Sequence, residues 1–444
     1  MTAQNNHAQF GLLGRTLAHS WSPYIHKQLG SYPYALFEKE PDEVASFVAH
    51  GAWRGLNVTI PYKQVVCNLS TRKSMLVELT GAANTLVKQA DGSIFAENTD
   101  VLGFTMMLLE FLATNNCIPA VDIDDIIQVM TTAPKGYKSN LLAHHKVVIC
   151  GNGGASRAVQ TALGLLGASM VVADTQGATS YDEIMRAHTD ATIMVNTTPV
   201  GMYPACPQSI LSLEQLRAFS SLKAVVDVVY NPLRSGLCMA AEALGIPYVQ
   251  GLYMLVAQAL FSSNLFLDTH HDVARIRPIV QQICANEQSI ALIGMPGVGK
   301  TTCGRALAAL CGKTFVDLDA EFTAMYAMPP HEFIQQYGED AFREKEHAVC
   351  AKVAKEPSRV IACGGGIVCR EENYACLHQQ AAIVLLTRPL ELLSLYKRPL
   401  SASVGVEELA RRRMPRYTAW ADYTCALDAT PQESARHILA CITH

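Results

Sequence analysis

Short apolar runs alternate with amphipathic segments along most of the chain, and this pattern predicts an α/β fold. Predicted strands of the first hundred residues are the apolar runs at residues 10–13, 56–60, 86–87 and 94–95. The polar triplet Asn98-Thr99-Asp100 then precedes a long apolar segment, residues 101–113. We expect this triplet to cap the segment as a helix.

A second series of apolar runs predicts a parallel sheet, with strands at residues 146–150, 169–173, 193–195 and 224–228. A glycine-rich turn at residues 151–158 follows the first of these strands, and Asp174 follows the second. Such a turn alone is a weak signal, since its spacing departs from G-x-G-x-x-G. In this βαβ context it predicts a dinucleotide site with the pyrophosphate at a helix N-terminus.

The last third of the chain carries a stronger motif. The apolar run at residues 290–293 leads into Gly294-Met295-Pro296-Gly297-Val298-Gly299-Lys300-Thr301, and a helix-forming segment follows. Glycines let backbone N–H groups converge on phosphate oxygens, the lysine adds charge, and the threonine hydroxyl is a ligand for Mg²⁺. This pattern predicts a phosphate-binding loop rather than an ordinary glycine turn.

Composition narrows the class of protein. The chain has 444 residues. A single hydrophobic core rarely supports a chain of this length, so at least two domains are expected. Charged residues make up 17% and the net charge is -4, which gives no reason to expect a nucleic-acid partner. The 14 cysteines form no C-x-x-C pair, so we expect reduced thiols. No targeting or membrane-spanning segment is recognised, and a cytoplasmic location is expected.

Residues 10–266 resemble shikimate dehydrogenase. The motifs that carry this resemblance lie in order at residues 14–23, 57–63, 81–85, 98–100, 151–158, 196–202, 227–232 and 251–258. The resemblance implies an α/β substrate lobe and a Rossmann-like nucleotide lobe. It also implies that Lys63 and Asp100 are the catalytic pair. Hydride transfer to a ketone makes an alkoxide, which an ammonium can protonate while a carboxylate holds the lysine.

The same resemblance implies the binding residues of this site. Shikimate is expected to contact Ser20, Ser22, Thr59, Asn84, Asp100, Tyr230 and Gln258. The dinucleotide is expected to contact Gly151, Gly153, Gly154, Ala155, Asp174, Asn196, Thr197 and Gly251.

One position departs from the family pattern and bears on the cofactor. Relatives that use NADP usually carry Asn-Arg-Thr after the second strand of the nucleotide lobe, whereas this chain has Asp174-Thr175-Gln176. A carboxylate accepts hydrogen bonds from a ribose 2′-hydroxyl and repels a 2′-phosphate. NADP is expected from the family, and NAD stays open because of Asp174.

Residues 289–444 resemble shikimate kinase, with further motifs at residues 315–319, 337–346, 360–366, 398–400 and 412–417. The resemblance implies that Lys300 and Arg398 are catalytic, Arg398 within a lid. ATP would contact Gly297, Gly299, Lys300, Thr301 and Thr302, and Mg²⁺ would contact Thr301 and Asp317. Shikimate would contact Asp319, Arg343, Gly365, Gly366 and Arg413. Strand alternation is expected to point Asp317 and Asp319 to one side. Within residues 411–413, the arginine that binds shikimate stays open by one position.

These observations predict three structural parts. The substrate lobe is expected at residues 1–113, completed by helices from about 250–285, with a terminal helix at 267–285. The nucleotide lobe is expected at 114–249, where residues 115–138 have no assigned structure. A P-loop kinase domain with a central parallel sheet is expected at 286–444.

The predicted function is bifunctional. The first part would reduce 3-dehydroshikimate to shikimate with NAD(P)H, and the second would phosphorylate shikimate with ATP. Two alternatives stay open: one domain is inactive and senses shikimate or nucleotide, or the kinase acts on another small hydroxylated acceptor. Small-molecule substrates are expected, without nucleic acid or membrane partners, and the sequence does not predict an oligomeric state.

Overall fold

The computed structural model describes residues 9–17, 20–30, 32–132, 136–177, 179–393, 405–428 and 430–443. The chain divides into two compact units. The first unit comprises Met1–Val200, Ile210–Tyr230 and Ala240–Gln282, and the second comprises Gly201–Ser209, Asn231–Met239 and Ile283–His444. The lobe and domain boundaries proposed from the sequence stay predictions.

The first unit begins with a mixed six-stranded sheet of order β2-β1-β3-β5-β6-β4. Its strands are β1 (Phe10–Gly14), β2 (Tyr34–Glu38), β3 (Gly55–Val58), β4 (Arg72–Lys73), β5 (Thr85–Lys88) and β6 (Ile94–Glu97). Its helices are α1 (Ser22–Gly30), α2 (Val44–His50), α3 (Lys63–Leu69) and α4 (Met75–Thr80). Strand β5 runs antiparallel to β3 and β6, and the other pairs are parallel. The four strands predicted here all form, although β3 ends before Thr59.

Helix α5 (Thr99–Thr114) leaves this sheet and packs along α11 (Leu252–Leu267). Asn98 stands at the N-cap position but does not cap with its side chain, so that part of the prediction was wrong. Its amide instead donates to Ala82 O at 2.8 Å, while the Thr99 N–H is accepted by Asn84 Oδ1 at 2.7 Å. The side chain of the residue before β5 therefore satisfies the first amide of the helix.

The second sheet of the first unit is parallel throughout, in the order β11-β10-β9-β7-β8. Its strands are β7 (Lys146–Cys150), β8 (Ser169–Ala173), β9 (Ile193–Asn196), β10 (Ala224–Asp227) and β11 (Tyr248–Gln250). The helices along this part of the chain are α6 (Ile123–Thr132), α7 (Gly154–Leu165), α8 (Tyr181–Ala187), α9 (Leu213–Arg217) and α10 (Gly236–Ala243). Helix α6 occupies the stretch that had no assigned structure.

The predicted helix at residues 267–285 is interrupted. Helix α11 ends at Leu267, where Asp268 adopts a left-handed conformation with φ 47°. A 3₁₀ turn at Val273–Arg275 and helix α12 (Ile276–Glu287) follow. The Arg275 guanidinium donates to Leu29 O at 3.0 Å. The intervening residues 268–272 are polar and make no helix, so this prediction was correct only for the second half of the segment.

The second unit is built on a parallel sheet of order β13-β14-β12-β15-β16. Its strands are β12 (Ser289–Ile293), β13 (Thr314–Asp317), β14 (Arg359–Ala362), β15 (Ala381–Thr387) and β16 (Tyr423–Ala426). Its helices are α13 (Lys300–Cys311), α14 (Leu318–Tyr326), α15 (Pro330–Tyr337), α16 (Glu339–Val353), α17 (Glu372–His378), α18 (Val406–Trp420) and α19 (Pro431–Thr443). Buried apolar residues of β12 and β15 form the centre of its core, together with Tyr417.

Two segments from earlier in the chain belong to this second unit. Within it, the Arg234 guanidinium donates to His378 O at 2.7 Å, and Lys355 Nζ donates to Pro204 O at 2.7 Å. These bonds satisfy two backbone carbonyls, one of them at the last residue of α17. Among the described residues, no helix is long and apolar enough to cross a membrane.

Candidate active sites

The centre of the first candidate site is a lysine and a carboxylate. Lys63 is the first residue of α3, and Asp100 lies in the first turn of α5. Lys63 Nζ donates to Asp100 Oδ2 at 2.7 Å, and the two side chains are 20% and 12% exposed. A charge-assisted hydrogen bond of this kind fixes the ammonium and still leaves it two further protons to donate. The structure thus brings together the two residues predicted as the catalytic pair.

Polar side chains are hydrogen bonded to Thr99, the residue before Asp100, and to one another. Asn84 precedes β5, and its amide donates to Thr99 Oγ1 at 3.0 Å and to Gln258 Oε1 at 3.3 Å. Gln258 lies on α11 and donates its own amide to Leu255 O. The predicted substrate residues Asn84 and Gln258 therefore contact each other, and Asn84 is also joined to the residue that precedes Asp100.

The other predicted substrate residues lie near the ends of α1, β3 and β10. Ser22 begins α1 and its N–H is accepted by the Ser20 hydroxyl at 3.2 Å. Thr59 follows β3 and is partly exposed, and its N–H donates to Leu13 O. Burial raises the pKa of the Tyr230 hydroxyl, which keeps it protonated and able to donate at neutral pH.

The glycine turn after β7 leaves open space at the start of α7. Gly153 is the N-cap residue of that helix, and a side chain built on Gly153 or Gly154 would meet no described atom within 4 Å. Ala155 lies in the first helical turn. Unpaired N–H groups at a helix start with open space before them are suited to a pyrophosphate. The residues present therefore fit a dinucleotide.

Asn196 and Thr197 have side chains that bond to the protein itself. The Asn196 amide donates to Asp227 Oδ1 at 2.9 Å, and its oxygen accepts from the Thr198 hydroxyl at 2.7 Å. The Thr197 hydroxyl donates to Cys150 O at 2.7 Å. Both residues are buried. Their side chains order the loops after β7 and β9, which leaves backbone groups as their means of contacting a cofactor.

Two further predicted cofactor positions lie at strand ends. Asp174 directly follows β8, and its N–H donates to Thr179 O. Its carboxylate accepts from the adjacent Thr175 hydroxyl at 3.5 Å. Gly251 is the N-cap residue of α11, and a Cβ there would stand 2.1 Å from Val228 O. This close approach of two backbones explains the glycine at residue 251.

The second candidate site begins with the loop between β12 and α13. Gly299 precedes the helix with φ 115°, a left-handed conformation that glycine adopts without strain. Lys300 is buried, and its Nζ donates to the carbonyls of Gly294 and Met295 at 2.8 and 3.0 Å. The lysine therefore lies over the loop. Thr302 is exposed in the first turn of α13.

Thr301 and Asp317 bring two side-chain oxygen atoms together. The Thr301 hydroxyl donates to Asp317 Oδ2 at 2.7 Å. Hard oxygen ligands of this type suit Mg²⁺, which keeps waters and binds substrate phosphates as well. Within the described residues there is no group of three His, Cys, Asp or Glu side chains that could hold a metal. The two residues fit a magnesium ion that takes its remaining ligands from nucleotide and water.

The alternation argument for Asp317 and Asp319 was wrong. Strand β13 ends at Asp317, and helix α14 begins at Leu318, so Asp319 is a helical residue. Asp317 is the N-cap and accepts from Asp319 N at 3.0 Å. Asp319 still faces the glycine loop after β14, since a Cβ at Gly364 would stand 3.2 Å from its Oδ1.

Arg343 lies in a buried acidic setting on α16. It donates to Glu346 Oε2 at 2.7 Å and to Glu339 Oε1 at 2.8 Å, and its side chain is 11% exposed. Burial alone lowers the pKa of a guanidinium, but Glu346 and Glu339 outweigh that effect and raise the pKa of Arg343. Burial raises the pKa of Glu346, and Arg343 opposes that rise. Gly366 packs against the guanidinium so closely that a Cβ would stand 2.1 Å from Nη1.

Arg413 is the member of its arginine run that faces this loop. Its Nη1 donates to Gly365 O at 2.9 Å. Arg411 and Arg412 instead pair with Glu408 on the exposed side of α18. Tyr417, one turn after Arg413, also donates to Gly365 O. Arg398, which the resemblance places within a lid, lies outside the described residues.

Sequence reasoning missed several residues of these sites. In the first site they are Thr99, Asn57, Thr85, Ser262 and Asp227, and in the second they are Glu339, Glu346 and Tyr417. Glu346 was recoverable, because it lies three residues after Arg343 on a helix and spacing of this kind predicts a side-chain pair. Ser262 gave no signal, since a serine within an apolar helix has no pattern of its own.

Comparison with known proteins identifies both parts of the chain. Residues 12–86 match the model of the shikimate dehydrogenase substrate binding domain, and residues 296–443 match that of shikimate kinase. A shikimate dehydrogenase (NADP(+)) of Caulobacter vibrioides is 34% identical over 275 residues, which cover 56% of this chain and 86% of the relative. A shikimate dehydrogenase (NADP(+)) of Methanopyrus kandleri is 32% identical over 301 residues, 61% of this chain and 93% of the relative.

A solved structure agrees with these relatives. The crystal structure of a chorismate mutase/shikimate 5-dehydrogenase fusion protein from Clostridium acetobutylicum matches with a TM-score of 0.52 and 30% identity. It covers 63% of this chain and 97% of that chain. The two resemblances predicted from sequence motifs are confirmed. The chain belongs to the shikimate dehydrogenase family, and its residues 296–443 form a shikimate kinase domain.

Proposed function

We propose that this chain catalyses two successive reactions: reduction of 3-dehydroshikimate to shikimate, and phosphorylation of shikimate to shikimate 3-phosphate. The observation that carries the first reaction is the bond of 2.7 Å between Lys63 Nζ and Asp100 Oδ2. NADPH supplies the hydride when bound. Lys63 stabilises the developing alkoxide and gives it a proton, and Asp100 holds the ammonium in place by its hydrogen bond.

Binding residues orient the ring for this step. Asn84 and Gln258 have amide groups joined to each other, which supports a role in recognising ring hydroxyls. Ser20, Ser22, Thr59 and Tyr230 complete the proposed substrate set. A hydroxyl or an amide offers both donors and acceptors, and a polyhydroxylated ring needs both.

NADP is the proposed cofactor, on the strength of relatives whose names state NADP(+). Asp174 favours NAD, because a carboxylate repels a 2′-phosphate. Reduction rates with NADPH and with NADH, for the natural chain and for D174N, separate these two proposals. If the Asp174 carboxylate contacts the ribose, D174N is expected to shift the cofactor preference toward NADPH. Unchanged preference in D174N would contradict a role for Asp174.

The second reaction is supported by the pair of Thr301 and Asp317 beside the phosphate-binding loop. When bound, ATP supplies the phosphoryl group, and Mg²⁺ supplies positive charge that screens its oxygens. Lys300 is the proposed ligand of the phosphates, and Arg398 is proposed to join it. Asp319 would accept hydrogen bonds from the acceptor hydroxyls, and Arg343 and Arg413 would bind its carboxylate.

One coupled assay tests both activities. Purified full-length protein is given 3-dehydroshikimate, NADPH, ATP and Mg²⁺, and oxidised cofactor and ADP are measured separately. Formation of both supports the proposal. Binding of shikimate without turnover at either site supports the sensor alternative instead, and ADP formed faster with another hydroxylated acceptor supports a different kinase substrate.

The proposed substrates are small molecules. A cytoplasmic location stays a prediction from the sequence.

A further inference from the structure

Helix α11 is strongly apolar, yet Ser262 lies fully buried within it and has four polar neighbours. Its Oγ is 2.7 Å from Asn57 Nδ2, 2.8 Å from Thr85 Oγ1, 3.0 Å from Thr99 Oγ1 and 2.9 Å from Gln258 O. Gln258 belongs to the same helix, and the other three partners come from β3, β5 and α5. A buried polar cluster is costly unless every group in it is satisfied.

Counting protons assigns donors and acceptors within the cluster. Ser262 has one proton, and the Gln258 carbonyl can only accept, so Ser262 donates to it. The Ser262 oxygen then accepts from the Asn57 amide. The hydroxyls of Thr85 and Thr99 have two acceptors within reach, the Ser262 oxygen and Asn84 Oδ1. On the opposite side of Asn57, its Oδ1 accepts from the Tyr34 hydroxyl at 2.8 Å. Asn57 therefore has only one amide orientation that fits.

Both ends of this cluster are residues of the proposed substrate site. At one end Thr99 accepts from the Asn84 amide, and Asn84 in turn contacts Gln258. At the other end the Ser22 side chain lies beside the Tyr34 hydroxyl. Ser262 joins the two ends through the shorter contact, since Asn57 Nδ2 lies 2.7 Å from Ser262 Oγ and 3.4 Å from Thr85 Oγ1.

We propose that Ser262 is a positioning residue of the reduction site, which holds Asn84 at one end and the Asn57–Tyr34 branch at the other in the orientations that bind substrate. This inference rests on the reduction proposed above. An alanine would fill the same place in the helix, so packing alone does not require the hydroxyl. Without it, the Asn57 amide loses its nearest buried acceptor and turns toward Thr85. The hydroxyls of Thr85 and Thr99 lose a shared partner, and Asn84, which contacts both, moves with them.

The test compares S262A with S263A in the full-length protein, with 3-dehydroshikimate as the probe. Ser263 is the adjacent residue and equally buried, but it contacts Tyr32 and His271 instead of the cluster. Both variants lose one buried hydroxyl, so a merely structural effect is shared between them. We expect S262A to raise KM for 3-dehydroshikimate about tenfold with a smaller change in kcat, and S263A to leave KM near its natural value.

A double-mutant cycle separates positioning from direct binding. If Ser262 acts through Asn84, S262A in an N84A background should change KM far less than it does alone. Equal KM values for S262A and S263A would overturn the inference. So would independent effects in the cycle, in which S262A raises KM by the same factor with and without N84A. Should S262A fail to fold, Y34F breaks the same cluster at its far end and is expected to raise KM, and an unchanged KM there would equally overturn it. Absence of reduction by the unsubstituted protein would contradict the proposed function itself.

Discussion

Lys63 and Asp100 are 37 positions apart in the chain, yet the ammonium of one lies 2.7 Å from the carboxylate of the other. Each stands at the beginning of a helix, Lys63 on α3 and Asp100 on α5. Backbone groups at a helix start are fixed by the turn that follows, so the two side chains are held from rigid positions. The low exposure of both increases the strength of their interaction.

Replacement of Lys63 by methionine should abolish most of the reduction. Methionine keeps the length of the side chain but cannot donate a proton, and loss of a general acid lowers kcat by about 10²–10⁴-fold. The measurement is the oxidation of NADPH at saturating 3-dehydroshikimate. K73M, which changes an exposed lysine of β4, is the matched control. A K63M variant that reduces as fast as K73M would refute the proposed role, and the phosphorylation rate of K63M should be unchanged.

Replacement of Thr301 by valine should weaken the use of Mg²⁺ in phosphorylation. The variant keeps the shape of the side chain and removes the hydroxyl that contacts Asp317. We expect the Mg²⁺ concentration for half-maximal ADP formation to rise about tenfold or more. T314V, at an exposed position of β13, serves as the control. Identical Mg²⁺ titrations for the two variants would argue against Thr301 as a ligand.

Replacement of Gly366 by alanine should damage acceptor binding in the kinase domain. The added Cβ would stand 2.1 Å from the Arg343 guanidinium, which must therefore move. Misplacement of a positioning group by about 1 Å costs roughly a hundredfold in rate. The readout is kcat/KM for shikimate phosphorylation, and the reduction rate of the same sample is its internal control. Full phosphorylation by G366A would mean that Arg343 does not need its present position.

Stability of the first unit should fall in mild acid because of His26. Burial lowers the pKa of this histidine from 6.5 to about 3, and its ring stacks on Tyr34 at 4.1 Å. The unfolded chain binds a proton below pH 6.5 while the folded chain does not, so protonation favours unfolding. The contribution of neutral His26 is complete above pH 6.5 and declines as the pH falls toward 3. Between pH 6.5 and 5 the loss is roughly 2 kcal/mol.

Urea titrations at pH 7, 6 and 5, followed by reduction activity, measure this loss. H26Q removes the titrating ring, so its urea midpoint should depend less on pH than that of the natural chain. H50Q changes an exposed histidine of α2 and should keep the natural dependence. The same pH dependence in H26Q and H50Q would exclude His26 as the cause.

Many features of the fold could be predicted because they are local. Strands β7 and β8 begin and end where the apolar runs predicted, since a buried strand needs continuous apolar residues and polar residues or glycine end it. The loop before α13 was equally predictable, because its glycines, lysine and threonine act together within eight residues. The family motifs likewise predict that Lys63 and Asp100 lie in one site.

Other features depend on contacts between distant residues. The helix break after Leu267 is fixed in part by Arg275, which bonds to the end of α1. Asn84 caps α5 from 15 positions upstream in place of Asn98. Ser262 meets Asn57 across 205 positions. No local pattern encodes such pairs, because each hydrogen bond forms only after the strands and helices that carry it have packed.

The sequence by itself therefore determined the α/β class, the phosphate-binding loop and the family of each part. Tertiary structure alone decided which polar groups satisfy one another. It placed Asp319 on a helix instead of a strand, and it turned Arg413 rather than Arg411 or Arg412 toward Gly365. The physical reason is that apolar periodicity reports which side of an element is buried, whereas the partner of a buried polar atom depends on the elements packed against it.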